Sequence, residues 1–197
     1  MIEKVRCSWV GSYPKKDTLL TEAMIKYHDK EWGFLNNTTN EYLFEFLILE
    51  GAQAGLSWST ILKKREGYRK AYMDYDIKKI SNFTEKDKAN LISNAEIVRN
   101  KAKITASIVN AKLYLKILDE YQNSFLNYLN SFEYTNVARI QGQTSLTESE
   151  ISKKISSDLS KRGFKFVGSK IIHAYLQAIG IIDDHDYDCF LHQRNRI

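Results

Sequence analysis

From Glu41 onward, Leu43, Phe44, Leu47 and Ile48 recur at intervals of three and four, and Ile61 and Leu62 resume the pattern. Apolar residues at that spacing line one face of a helix. The pattern predicts helices over about 40–52, read as amphipathic, and 57–73, joined by the small-residue turn in "EGAQAGLSW" at 50–58. The polar run "NNTTN" at 36–40 reads as a loop. In "TEKDKANLIS", Thr84 is an N-cap candidate and Asp87, three residues on, can reach back to it. A long helix is expected from about Arg99 to Glu120 and a short one near 124–132. Thr147 and Glu150 read as the capping box of a further helix that Gly163 stops. "SKIIHAYLQAIG" is the last helix, ended by Gly180, and "FKFV" at 164–167 is the one stretch that suggests a strand. The predicted class is all-α.

Composition agrees. The 197 residues are 43% hydrophobic, with 12 Tyr, 9 Phe and 3 Trp, enough for one domain with a sizeable core. One Pro and nine Gly are too few turn residues for a β-sandwich. "MIEKVRCSWV" lacks the apolar core of a signal peptide, and no apolar run reaches membrane-spanning length. A soluble cytoplasmic monomer is expected, with Cys7 and Cys189 reduced and no membrane partner.

The charge of +5 is unevenly spread. Residues 99–116 carry Arg99, Lys101, Lys103, Lys112 and Lys116 without an acid. Residues 153–170 carry six cations, Lys165 among them, against Asp158, and residues 61–70 carry five against Glu66. Each stretch alone reads equally well as a solvated face; three together favour nucleic acid. In "ANLISNAEIVRNKAKITASIVNA", two helices meet at a turn near Ala95–Val98, and the second opens on Arg99, Lys101 and Lys103. A helix N-terminus beside cations suits a phosphate, so this is a helix-hairpin-helix candidate.

Cys7, His28, His185 and Cys189 make a second constellation. His185 and Cys189 are spaced i, i+4, and two Cys with two His can close a tetrahedral zinc site. Such a site would join the chain ends. Asp183, Asp184, Asp186 and Asp188 flank the C-terminal pair as candidates for orienting a ligand, most of them reading as solvated charges.

"RCSWV" (6–10), "YHDKEWG" (27–33), "LEGAQAGLSW" (49–58), "ILKKRE" (61–66), "IVRNKAKI" (97–104), "KRGFKFVG" (161–168) and the Asp-Asp-His…Cys run at 183–189 occur in the order seen in 3-methyladenine DNA glycosylase I, which the chain resembles over nearly its whole length. The resemblance implies a helix-hairpin-helix DNA glycosylase fold. A single domain, 1–197, would have a helical core at about 40–180 and a zinc-stapled lobe formed by segments 1–35 and 181–197. It implies one structural Zn²⁺ on Cys7, His28, His185 and Cys189. It further implies a base-pocket carboxylate at Glu50, a stacking Trp at Trp58, a pocket Tyr at Tyr27, further family tryptophans at Trp9 and Trp32, and a Gly-Leu wedge at Gly55 and Leu56. Double-stranded alkylated DNA is then the substrate, free 3-methyladenine the product, and the enzyme a monofunctional glycosylase without lyase activity.

The residues allow that chemistry. A base is reached only outside the stack. Small residues after Glu50 would let DNA approach, Leu56 would fill the vacated gap, and Trp58 would offer a π face to a cationic base. On its own, without the resemblance, Glu50 reads rather as a helix-end carboxylate meeting Arg65 or a lysine. Three departures from the family stand out: a longer Cys7–His28 interval with "KKDTLLTE" as the added loop, Met24 where a second pocket Tyr is common, and Glu96 where the hairpin turn often has Gly. If that turn needs φ > 0, Glu96 is strained by about 1 kcal/mol. Two competing readings remain: a catalytically inactive zinc-stapled DNA-binding homologue, and a metal-dependent phosphohydrolase of the HD type built on His28-Asp29 and His185-Asp186.

Overall fold

The structure, a computed structural model, describes residues 4–11, 18–35, 37–134 and 139–195. Among the described residues all regular structure is helical: α1 (Ser8–Gly11), α2 (Thr18–Lys30), α3 (Asn40–Gln53), α4 (Trp58–Ala71), α5 (Ile77–Ser81), α6 (Glu85–Ser93), α7 (Lys101–Glu120), α8 (Phe125–Asn130), α9 (Glu150–Lys161) and α10 (Ser169–Ala178).

α3 is the axis of the fold. Every residue from Leu43 to Ala52 is buried, so the helix has no solvent face and is not the amphipathic helix expected. It packs on α4, α7, α8 and α10. Its one inner carboxylate besides Glu50, Glu45, is answered by Arg65 Nε at 2.7 Å and by Arg69. A buried charge is tolerated only when paired. A smaller apolar cluster of Cys7, Val10, Cys189 and Leu191 lies where the chain ends meet, with Trp9, Trp32 and Phe190 packed on it.

Local signals placed most boundaries. Thr84 and Asp87 form the expected reciprocal cap. α9 ends in a Schellman turn at Gly163, with Phe164 N–H donating to Leu159 O, and α10 ends in another at Gly180. Four expectations change. The cap of α9 is Ser149, whose hydroxyl trades bonds with Ser152 across the first turn; Thr147 lies outside it and Glu150 is the first helical residue. "FKFV" is not a strand: Phe166 has φ +55°, and the Asn110 side chain takes both backbone groups of Lys165, docking the loop on α7. The "KKDTLLTE" segment is helical from Thr18, and its residues 15–17 lie outside the described residues. α7 starts at Lys101 behind its Asn100 cap, which leaves Arg99 in the hairpin turn.

Candidate base pocket and metal centre

α2, α3 and α4 bring their ends together around a cleft of about 610 Å³. Glu50 comes from the last turn of α3 and Trp58 is the first residue of α4, held by its Ser57 cap. Between them, Gly55 adopts φ +78°, which an L side chain rarely tolerates, so the turn reverses there and leaves Leu56 exposed. Gly51 has a different role from that expected. It is small because the Phe166 backbone and Cβ pack against it, not because DNA does.

The cleft is an aromatic cage. Trp58 lies 5.1 Å from Tyr27 and 6.3 Å from Phe46, nearly parallel to the latter, and Phe46 also stacks on Tyr27. Trp9 meets Trp32 edge-on at 5.2 Å. Arg65 sits 5.0 Å over the outer face of Phe46 while it bridges Glu31 and Glu45. Arg65 is thus unavailable to Glu50, whose carboxyl makes no hydrogen bond or ion pair among the described residues. Burial pushes the Glu50 pKa up to about 8, and burial with the nearby Glu50 raises that of Tyr27. Gln53 lines the cleft beside Glu50, and the rest of its lining includes the polar Arg139, Ser145 and Gln177, which sequence patterns did not reveal, with Asp184 and Asp186.

Beside this cleft, the four donors of Cys7, His28, His185 and Cys189 lie within 4.8 Å of one another, all buried. Cys7 Sγ is 3.4 Å from His185 Nδ1, and Cys189 Sγ is 3.4 Å from His28 Nε2 and 3.7 Å from His185 Nδ1. Tetrahedral zinc with ordinary bond lengths separates its ligands by about 3.4–3.8 Å, so the donor set fits that ion. Backbone N–H groups of Asp186 and Leu191 point at the two sulfurs, as suits thiolates. Asp29 orients His28 through Nδ1 at 2.8 Å and is itself clamped by Arg6. Both His-Asp pairs are therefore accounted for without a hard-metal centre. Asp29 binds His28 and Arg6, and Asp186 binds Arg139 and the Ser8 N–H. That removes the basis of the phosphohydrolase reading. Of the four C-terminal acids only Asp188 is exposed. Asp184 and Asp186 are paired with Arg139, and Asp183 accepts the His185 N–H.

The basic stretches divide. In 61–70, Arg65 and Arg69 serve Glu45, and Lys64 donates to Ala95 O in the hairpin turn, so these three cations are engaged within the fold. In 153–170, Lys153 and Arg162 pair with acids, while Lys165 stays exposed. Lys103 donates to the carbonyls of Ala52 and Ala54, closing the C-terminal end of α3 and tying α7 to the turn that carries Leu56. Lys101 and Lys165 remain exposed on either side of one groove. Glu96 has no positive φ, so the expected strain is absent; its carbonyl packs where a Cβ on Gly67 would stand. Lys101→Gln is expected to weaken binding to any duplex and to lower the slope of log affinity against log salt by about 0.9. Titration at several salt concentrations checks this, and an unaltered slope would place Lys101 away from the phosphates.

A helical protein whose cleft sets Trp9, Tyr27, Trp32 and Trp58 around a lone carboxyl has the chemistry to take a flat ring. Residues 17–192 match the family described as methyladenine glycosylase, and the chain belongs to that family. It is 38% identical over 195 residues to DNA-3-methyladenine glycosylase 1 of Escherichia coli (strain K12), covering 97% of this chain and 98% of the relative. A crystal structure of 3-methyladenine DNA glycosylase I superposes with TM-score 0.83 at 38% identity, over 95% of this chain and 100% of that one. The Staphylococcus aureus enzyme, in a structure addressing 3-methyladenine recognition, gives 0.82 at 32% identity over 93% and 94% of the two chains.

Proposed function

We propose that this chain hydrolyses the N-glycosidic bond of 3-methyladenine in alkylated double-stranded DNA, releasing the free base in base-excision repair. The observation that carries this is Glu50, a buried carboxyl with no partner of its own, facing an aromatic cage. Leaving a buried polar group unpaired costs about 1–3 kcal/mol, so the site is complete only with a ligand that supplies charge or donors. N3-methylation makes the base cationic and a good leaving group. Trp58 and Tyr27 offer it π faces, a cation–π gain of about 0.5–2 kcal/mol, and Glu50 accepts from its amino or protonated edge. Unmodified adenine brings no charge and leaves Glu50 unsatisfied. The bond to the sugar breaks with its electron pair going to the base, and water adds to the oxocarbenium-like sugar, losing a proton. The reaction is hydrolysis alone, with water and no protein amine as the nucleophile.

One zinc per chain on Cys7, His28, His185 and Cys189 is structural in this reading, because all four positions are filled by protein. The 1–197 chain is then one domain with its ends stapled beside the pocket. Gly55 and Leu56 enter the duplex, and Arg99, Lys101 and Lys165 meet phosphates. Lys103 contributes by fixing the wedge turn. Met24 is fully buried and off the cleft wall, so the departure there removes a hydroxyl without disturbing the cage. No helix of the described residues is long and apolar enough to cross a membrane.

Release of free 3-methyladenine from alkylated duplex DNA tests the proposal; binding of DNA with no release would favour the inactive homologue. Leu56→Ala should act on extrusion alone. Its excision from duplex is expected to fall about tenfold, since unstacking costs a few kcal/mol, while its affinity for free base stays at the wild-type value in calorimetry. An equal loss in both measurements would place Leu56 in the pocket instead.

A further inference from the structure

The two walls of the cleft are built differently. The inner wall is packed helix. The outer wall, residues 139–146, has no helix or strand, and its positions 140–146 are all exposed. What fastens it is Arg139. Its Nε donates to Asp184 Oδ1 at 2.9 Å, its Nη2 to Asp184 O at 2.6 Å, and its Nη1 to Asp186. Asp186 also accepts the Ser8 N–H at 2.6 Å, and its own N–H points at Cys7 Sγ. The Arg139 carbonyl meets the His192 ring at 2.6 Å. Ser145 and Gln177, both on the cleft, donate to Asp184. One guanidinium therefore joins the wall to acids on both sides of His185, and it is only 11% exposed.

We propose that Arg139 is a positioning residue: it fastens the outer wall of the base pocket to the metal-bearing chain ends, so that the grip on an extruded base depends on this joint. This rests on the reading of the cleft as the base pocket. Arginine suits the task because its planar fork serves two carboxylates and a carbonyl at once, which an ammonium cannot reproduce. Charge alone makes the opposite forecast. A guanidinium in the cleft repels a cationic base, so its removal would tighten binding if position did not matter.

The three tryptophans of the chain, Trp9, Trp32 and Trp58, all line this cleft, so its fluorescence reports on the wall without any ligand. Zinc-loaded full-length wild type, Arg139→Ala and Arg139→Lys would be compared for acrylamide quenching, metal content and affinity for free 3-methyladenine. Arg139→Ala should keep its metal, quench more readily and bind the base about tenfold more weakly, the scale of a misplaced positioning group, with Arg139→Lys in between. Unaltered quenching, or tighter binding, would overturn the proposal. Should the alanine variant fail to fold, Asp186→Asn removes one anchor isosterically and should raise quenching in the same direction; quenching equal to wild type there would overturn it too. If wild type itself binds no 3-methyladenine, the pocket reading fails, while the quenching comparison still decides whether Arg139 holds the wall.

Discussion

Cys189→Ser is expected to strip the chain of its metal and to lower its thermal midpoint by roughly 10–20 °C. Metal binding at a site absent from the unfolded chain is folding free energy, and a loss of several kcal/mol moves a chain of this size by about 2–4 °C per kcal/mol. The effect is large because the terminal cluster is small. Among the described residues, Cys7, Val10, Cys189 and Leu191 are the whole buried apolar cluster there, so a metal joining two of them would carry much of the tie between residues 4–11 and the C-terminal segment. A chelator added to wild type should reproduce the shift and zinc should reverse it. Metal analysis gives the decisive reading: a Cys7→Ser, Cys189→Ser double variant that still carried one zinc per chain would sink the assignment.

Glu50→Gln is expected to move stability and activity in opposite directions. The folded pKa of about 8 stands above the ordinary carboxyl value of 4.5, so the folded state holds the proton more tightly than the unfolded one. Its contribution is present in full below pH 4.5 and is lost as pH rises through 8. Each unit of that displacement is worth about 1.4 kcal/mol, so the amide should make the protein more stable by a few kcal/mol at pH 8 and by almost nothing at pH 4. In the pocket a cationic base favours the ionised form of Glu50 and draws off its proton, so the same change removes the counter-charge that binding would create. Affinity and excision should fall by about 1–3 kcal/mol, roughly 5–150-fold, short of abolition because the amide still meets part of the base edge. Thermal melts across pH and single-turnover excision check the two halves. A variant that excises at the wild-type rate would make Glu50 a structural helix-end residue.

α3, α4 and α6 to α10 were legible in the sequence, the last turns and caps best of all, whereas α1, α2 and α5 were not predicted. Thr84 with Asp87, Gly163 and Gly180 act within one turn, so their signals lie in adjacent residues. Ser149 shows the limit of such signals. Thr147, Ser149, Glu150 and Ser152 all offer capping groups within six positions, and the register among them is set by where the helix packs, not by the residues alone. The cluster of Cys7, His28, His185 and Cys189 was legible because the chain has only two cysteines and both fall in family motifs. The inner half of the pocket was legible for the same reason, as Glu50 and Trp58 sit eight positions apart around one turn.

The partners of the charges were not. Read along the chain, Arg65 could answer Glu50; in the fold it answers Glu31 and Glu45, 34 and 20 positions away. Lys103 reads as a phosphate ligand and closes α3 from 49 and 51 positions off. Arg139, in a stretch with no periodicity, joins acids 45 and 47 positions away. A hydrogen bond acts over about 3 Å, so it depends on which helices pass close, and that is decided by packing. The sequence by itself therefore determined most of the helices, where several of them stop, and which side chains could ligate a metal or stack a base. Only the tertiary structure decided which carboxyl stays unpaired: packing gave Arg65 to Glu31 and Glu45 and left Glu50 without it.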